Sequence, residues 1–336
     1  MKHMNSTRGI FAPGRILSMT SIAMVAVSFS CMQEAAAQKW PEKPVRIVTP
    51  FAPGGGTDFF ARLIAQRLSE TLGQQFIVDN RPGAGSTIGT EYVAKSPPDG
   101  YTVLMTSSSF VFNPALYPKL RYDSLKDLAP VTMVVSVPHV IVVHPSLPVK
   151  NVPELVRLAK NKPGELRYST AGQGSAIHLA GALFGEVTKT ELVQLPYKGS
   201  PPAVIAVIGG EAALMFSTIE TVMPTIRSGR LKALAVSTRE RSPMLPNVPT
   251  VIESGFKDYE VIGWFGMLAP AGTPQAIVDQ LRAEVGKAIA SPDIRERMVN
   301  EGAKPVGDTP AEFGRFLRSE IARWTKIIQQ AGIKLD

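Results

Sequence analysis

Ten short runs rich in β-branched and apolar residues alternate with amphipathic stretches along this chain. That alternation constrains the fold more than any other feature. A strand with no polar face must be covered on both sides, and the usual cover is a layer of helices on each face of a mostly parallel sheet. The runs read as strands are 45–49, 75–79, 101–106, 131–137, 140–144, 166–170, 192–195, 213–216, 231–237 and 261–268. Helix signals sit between them. Asp58 precedes a helix with Phe60, Leu63, Ile64 and Leu68 on one face and Gly73 as its left-handed stop. Asn151 with Glu154 has capping-box spacing. Ser200-Pro201, Thr273-Pro274, Ser291-Pro292 and Thr309-Pro310 each set a hydroxyl before a proline suited to a first turn, the last opening a long amphipathic helix. The fold class expected is therefore α/β.

The N-terminus reads as an address. Lys2, Arg8 and Arg15 precede an uncharged apolar run, 16–29, too short for a helix of roughly 20 residues to span a bilayer. Ala35-Ala36-Ala37 then supplies the small residues of a cleavage site before Gln38, so export to the periplasm is expected. A retained anchor and lipidation at Cys31 are the weaker alternatives. Cleavage would remove the only cysteine and, with it, thiol catalysis, thiolate metal sites and disulfides. It would also lower the formal charge from +8 to +6, through loss of three basic residues and Glu34. Lys and Arg are scattered rather than clustered, so no nucleic-acid partner is expected, while a mild welcome to anions is. The remaining length exceeds what one α/β core needs. Two lobes are expected: 38–137 with 250–336 as a discontinuous lobe, and 138–249 as the other, joined near Val137-Pro138 and the Pro-rich stretch 241–249.

The residues that carry chemistry lie in glycine-rich loops. Phe51-Ala52-Pro53-Gly54-Gly55-Gly56-Thr57-Asp58 links a buried strand to a helix start. Glycines there let successive N–H groups converge at the positive end of a helix, which makes an anion cradle. The loop lacks the Gly-Lys-Ser/Thr of a phosphate loop and the spacing of a dinucleotide fingerprint. A plain tight turn would need the same glycines. A second loop of this kind, Ala171-Gly172-Gln173-Gly174-Ser175, follows a strand and precedes a helix that begins with Ile177 and His178. In open α/β sheets ligands sit beyond the carboxyl ends of strands, so two such loops can face one another across a cleft. Ser107, Ser108 and Ser109 end another strand and add hydroxyl donors. A third cluster, 83–89, offers Ser86 and Thr87 as contacts. Together these describe a slot for a carboxylate built from neutral donors and helix dipoles. No catalytic constellation appears: His139, His144 and His178 show no metal-ligand spacing, no Gly-x-Ser-x-Gly elbow exists, and Ser175 has no evident base. Neither a cofactor nor a metal is expected. The expected activity is binding rather than catalysis, with an exported α/β hydrolase-like enzyme as the alternative.

Six segments together carry a family resemblance: VRIVTPFAPGGGTD (45–58), DNRPGAG (79–85), KSPPDGYTVL (95–104), TAGQGSAIHL (170–179), PYKG (196–199) and GRLKALAVST (229–238). In this order they resemble the substrate-binding proteins of tripartite tricarboxylate transporters, the Bug family. The resemblance implies a two-lobed periplasmic binding protein fold of the flytrap type, each lobe a mixed, mostly parallel sheet flanked by helices. It implies a monomer that holds a small organic acid and delivers it to membrane permease subunits; a receptor feeding a sensor kinase is the alternative. By that similarity residues 51–58, residues 171–178, and Tyr197, Lys198 and Gly199 should line the cleft. Relatives often carry an acid where this chain has Phe216, Ser217 and Thr218, a departure that leans toward an uncharged or aromatic ligand tail. Phe51, Phe110, Tyr197 and Trp264 are the candidates to stack on it.

Overall fold

Four of the five residues of β1 (Val45–Thr49) are buried, and the exception, Arg46, pairs with Asp79 of the neighbouring strand. In this computed structural model, which describes residues 40–334 together with Met1 and Gly9, β1 pairs in parallel with β2 (Phe76–Asn80) and β3 (Thr102–Ser107). The leader, Cys31 and the cleavage site before Gln38 lie outside the described residues. The strand β4 (Leu128–Val143) joins two further groups. Its first part runs antiparallel to β9 (Ile262–Pro270), which in turn lies antiparallel to β3. Its last residues run antiparallel to β7 (Leu214–Thr218) and β8 (Lys232–Val236). β5 (Arg167–Thr170) is parallel to both β6 (Val193–Pro196) and β7, and the short β10 (Lys304–Pro305) pairs with β4.

Sequence reading expects two strands at 131–137 and 140–144, because Pro138 lies between them. The structure has one strand of 16 residues. Pro138 faces Ile262 of β9 while the next residue, His139, faces Thr218 of β7. The missing N–H thus falls at the handover between two ladders rather than inside either, and Pro130 sits at a register shift in the same strand.

The helices are α1 (Gly56–Leu72), α2 (Thr87–Ala94), α3 (Ser109–Leu116), α4 (Val152–Asn161), α5 (Ala176–Thr188), α6 (Ser200–Ile208), α7 (Ile219–Arg227), α8 (Gln275–Ala290), α9 (Pro292–Asn300) and α10 (Pro310–Gln330). Asn151 caps α4 by accepting from Glu154 N at 2.9 Å. Thr309 and Glu312 close a reciprocal capping box at the start of α10. Gly73 ends α1 with φ 69°. Other helix starts differ by a residue or two from the sequence reading. Asp58 is the third residue of α1 rather than its cap, and Gly199, not Ser200, caps α6.

The core runs unbroken under both halves of β4. Phe112, Trp264, Phe313 and Trp324 lie at one end of it, and Tyr168, Phe184, Phe216 and Tyr259 at the other. α10 contributes Phe313, Leu317, Trp324 and Ile328, a helical stripe whose Trp324 meets Phe112 edge-on at 4.6 Å. A second cluster covers the opposite face of β7 and β8 with residues of α5, α6 and α7, Ile177, Val204 and Ile219 among them.

A pair of backbone passages connects the half containing β1 to the half containing β7. One is β4 itself. Beside it, Ser237 N donates to His139 O at 2.9 Å, Ser237 Oγ accepts from His139 N, and Val261 N donates to Ser237 O. The segment before Val261 stays with the β7 half: Val236 bridges to Thr250, and the Tyr259 hydroxyl donates to Ala180 O at 3.2 Å.

Candidate functional site

Every loop that leaves the carboxyl end of a parallel strand in this fold leads into a helix, so helix N-termini collect where those strands end. Five of them reach one narrow cavity. Its wall takes Gly56 and Thr57 from α1, Ser109 from α3, Ala176 and Ile177 from α5, Ser200 from α6, and Thr218, the residue before α7. Aromatic rings of Phe51, Trp264 and Phe265 form the apolar side. No Lys or Arg lines it. Attraction of an anion into this space must therefore come from peptide dipoles and hydroxyls rather than from a basic side chain.

The first glycine loop and the start of α1 border this cavity with Gly55, Gly56 and Thr57. Gly54 has φ 83°, a conformation that favours glycine, and its N–H donates to Asp58 Oδ2 at 3.0 Å. Asp58 thereby turns away from the cavity and braces the loop, with Arg62 at 3.0 Å and Asn80 at 2.9 Å as its other partners. Burial alone would raise its pKa. The hydrogen bonds from Arg62, Gly54 and Asn80, and the charge of Arg62, hold the carboxyl below its usual range instead. Ala52, Gly55 and Thr57 line the cavity, whereas Pro53 and Gly54 are exposed at its rim, Gly54 facing Pro201.

The second glycine loop spends most of its amides on itself. Gly172 N donates to Thr170 Oγ1, Gly174 N to His178 Nδ1, and Ser175 N to Gly172 O. Ser175 caps α5 by accepting from His178 N. Ser109 Oγ accepts from Ala176 N at 3.0 Å, which links α3 to α5 across the cavity. Ala171 and Ser175 line the cavity, while Gly174 packs under the Tyr117 ring. His178 lines a separate hollow with Gln173 and Glu186. Ser107, Ser108 and Ser109 all border the cavity. Asn113, with its amide nitrogen turned toward Gly85 O and Ser109 O at 3.2 Å each, fixes that corner and accepts from the Ser86 hydroxyl.

An outer, wider recess shares Phe51, Ala52 and Ala171 with the inner cavity. Ser86, Gly172, Gln173, Tyr197, Lys198 and Gly199 line it, and Lys198 is exposed there. Thr87 starts α2 and borders neither space. Phe216 and Ser217 are also outside them. Phe216 is a core residue between Tyr168 and Phe184, with centroids at 5.8 and 5.2 Å, and Ser217 is buried in β7 opposite Val140. Phe110 is fully buried in the core, so of the stacking candidates Phe51, Tyr197 and Trp264 border the two spaces.

Ala176 and Ile177 fall within the expected segment 171–178, whereas two wall residues, Ser200 and Phe265, were not among the expected contacts. Ser200 carries a signal in hindsight, because a serine just before a proline at a helix start follows the PYKG segment directly. A further group was missed altogether. Glu220, in the first turn of α7, is buried against Gly56, and a Cβ added at Gly56 would run into its carboxyl group and the Phe265 ring. Burial pushes Glu220 up to about 7, against hydrogen bonds from the Thr218 and Thr221 hydroxyls, and the charge of Glu301 adds to the rise. Thus an acid does accompany the segment 216–218, two residues later and from the next helix. Among the described residues no group of three or more His, Cys, Asp or Glu side chains gathers as a metal site. No helix among them is long and apolar enough to cross a membrane.

Comparison with known proteins agrees with this architecture. Residues 60–333 match the family described as tripartite tricarboxylate transporter family receptor. The chain is 37% identical to Protein BugT of Bordetella pertussis over 334 residues, covering 99% of this chain and 100% of that one. It superposes on Rpa4515 of R. palustris with adipate (TM-score 0.85, 39% identity, 88% of this chain and 100% of that one). MatC of Rhodopseudomonas palustris with bound malate gives a TM-score of 0.83 at 33% identity, over 86% of this chain and 100% of the other. The fold is that of the periplasmic binding proteins, and the relatives are receptors rather than enzymes, which removes the hydrolase alternative. A chain matched over most of its length by the receptor model, with five helix N-termini around one cavity, belongs to the tripartite tricarboxylate transporter receptor family.

Proposed function

We propose that this receptor captures a small organic acid in the inner cavity and hands it to the membrane permease subunits of a tripartite transporter. The single observation that carries this reading is the convergence of five helix N-termini on a space with no basic side chain in its wall. Such a site rewards a carboxylate oxygen and asks for no buried ion pair to be broken on release. The solved relatives with adipate and malate favour the same ligand class. A dicarboxylate would set one head group against the amides of Gly55 to Thr57 and extend the other toward the outer recess and Lys198. The ring wall of Phe51, Trp264 and Phe265 would equally take the apolar body of an aromatic acid.

In this reading the halves built on β1 and β7 are lobes that open and close, and ligand contacts to both shift the balance toward the closed form. The first crossing is at Val137-Pro138. The second is assigned to Val261-Ile262, beyond the stretch 241–249, because the segment before Val261 is hydrogen-bonded to the β7 half. Export follows from the leader, with cleavage before Gln38 and a monomer released to the periplasm. Intact-mass measurement on periplasmic protein tests that cleavage. Titration calorimetry with a panel of mono-, di- and tricarboxylates and aromatic acids tests the ligand class. Heat with at least one acid and none with sugars or neutral amides is the expected result; the reverse pattern rejects the class.

A further inference from the structure

We infer that Glu220 couples capture of a carboxylate to uptake of one proton from solvent, so that the receptor binds the anion and the proton together. This inference rests on the carboxylate reading above and deepens it. Three observations place Glu220 for the task. Its side chain comes from α7, on the β7 half, and abuts Gly56 at the start of α1, on the β1 half, so it stands between the two halves. Its Oε1 accepts from the Thr218 and Thr221 hydroxyls, and Thr218 itself lines the cavity. Its Oε2 is buried with no hydrogen-bond partner.

An anion held on the first-turn amides of α1 must therefore sit beside this carboxyl group. Two carboxylates sharing a low-dielectric site do not both stay ionised; one takes a proton. The ligand is held by amides and dipoles that favour its charge. Glu220 has two hydroxyls, its own backbone N–H and an orphaned oxygen, and a buried carboxylate with no cationic partner is costly. The proton accordingly goes to Glu220. Burial already pushes its pKa up to about 7, and a bound anion raises it further.

The groups facing it from the surrounding elements do not take over this role. Glu301, after α9, is an acid and adds to the rise. Asp58 on α1 is turned toward Gly54, Arg62 and Asn80. His139 on β4, opposite Thr218 in the ladder, is pushed by burial down to about 4 and stays neutral near neutral pH. Arg227, at the far end of α7, bonds to Asn300 O.

The test is titration calorimetry with malate and with adipate, from about pH 6.5 to about pH 8.5, in buffers of different ionisation enthalpy. The wild-type protein is expected to take up few protons at the acid end and to approach one proton per ligand at the alkaline end. Its affinity should fall by up to about tenfold per pH unit above 7. The E220Q variant should show no buffer-dependent heat and a flat profile. Proton uptake by the wild type is read without any variant, so poor folding of E220Q does not spoil the measurement. Binding with a flat pH profile and no proton uptake in the wild type, or an unchanged profile in E220Q, would overturn the coupling. Absence of binding by every acid at every pH would overturn the carboxylate reading and the coupling with it, and is told apart by the missing heat.

Discussion

At the residue scale, Gly56 shows why a missing side chain can matter more than a present one. Its Cα faces the Glu220 carboxyl and the Phe265 ring, so an added methyl group has no room. Gly56→Ala should weaken carboxylate binding by at least about tenfold, or roughly 1.4 kcal/mol, in calorimetry. Helix propensity alone argues for the opposite sign, since alanine favours a helix over glycine by about 1 kcal/mol. Gly286 inside α8 supplies the control: a Cβ there meets nothing within 4 Å. Gly286→Ala should raise stability by about 0.5–1 kcal/mol in urea unfolding and leave ligand affinity alone. An equal gain from both substitutions would mean that the Gly56 wall is softer than the structure indicates. Asp58 teaches a related lesson. A reader of the sequence gives it the cap position, yet as the third helical residue it braces Gly54 from inside the turn.

At the scale of elements, α10 clamps the β4–β9 part of the sheet. Its stripe of Phe313, Leu317, Trp324 and Ile328 lies on α3 and β4, and its start depends on the reciprocal bonds between Thr309 and Glu312. Thr309→Ala removes the acceptor for Glu312 N and should cost about 1 kcal/mol by chemical denaturation. Trp324→Ala deletes the ring that meets Phe112 and should cost about 3–5 kcal/mol. A loss from the second substitution no greater than from the first would show that α10 is held by its cap rather than by its buried face. β4 is the other element that organises the molecule. It serves two ladders because Pro138 sits at their junction; in the closing motion proposed above, that junction is where the halves would pivot.

For the whole molecule, two buried groups give stability a pH dependence in which they oppose each other. Glu220 has a raised pKa in the folded state, so its contribution is complete below the ordinary carboxylate range and is lost as pH rises to about 7. His139 is pushed down to about 4, so its contribution is complete above the ordinary histidine range and is lost as pH falls toward 4. The windows nearly coincide and the signs are opposite, so together the two groups leave the wild type nearly flat between about pH 4 and 7. Removing one unmasks the other. In E220Q, urea unfolding should show stability rising by on the order of 2–3 kcal/mol from about pH 4 to about pH 7. No such rise would mean that His139 is solvated at the crossing. Ligand should act on the molecule as a unit. At 100 times Kd, a bound acid should add about 2.7 kcal/mol to the unfolding free energy, and small-angle scattering should register a more compact particle as the lobes close.

Much of this architecture was legible in the chain. The β-branched and apolar runs mark the strands because most strand positions are buried, and the Asn151 and Thr309 caps show because their bonds are local. The glycine loops announce helix starts at strand ends for the same local reason. Other features were not legible because they depend on contacts between residues far apart in sequence. Nothing around Glu220 marks it as buried; it becomes so only where α7 meets the start of α1. Phe265 and Ser200 read as a strand residue and a helix start, and border the cavity only once β9 and α6 are in position. The second glycine loop looks like the first, yet tertiary contacts to Ser109 and its own turn engage most of its amides. Local pattern determined which elements form, since hydrophobic period and turn chemistry act over a few residues. Packing alone decided what meets in the cleft, because burial and charge at a site are properties of neighbours that no short stretch of sequence contains.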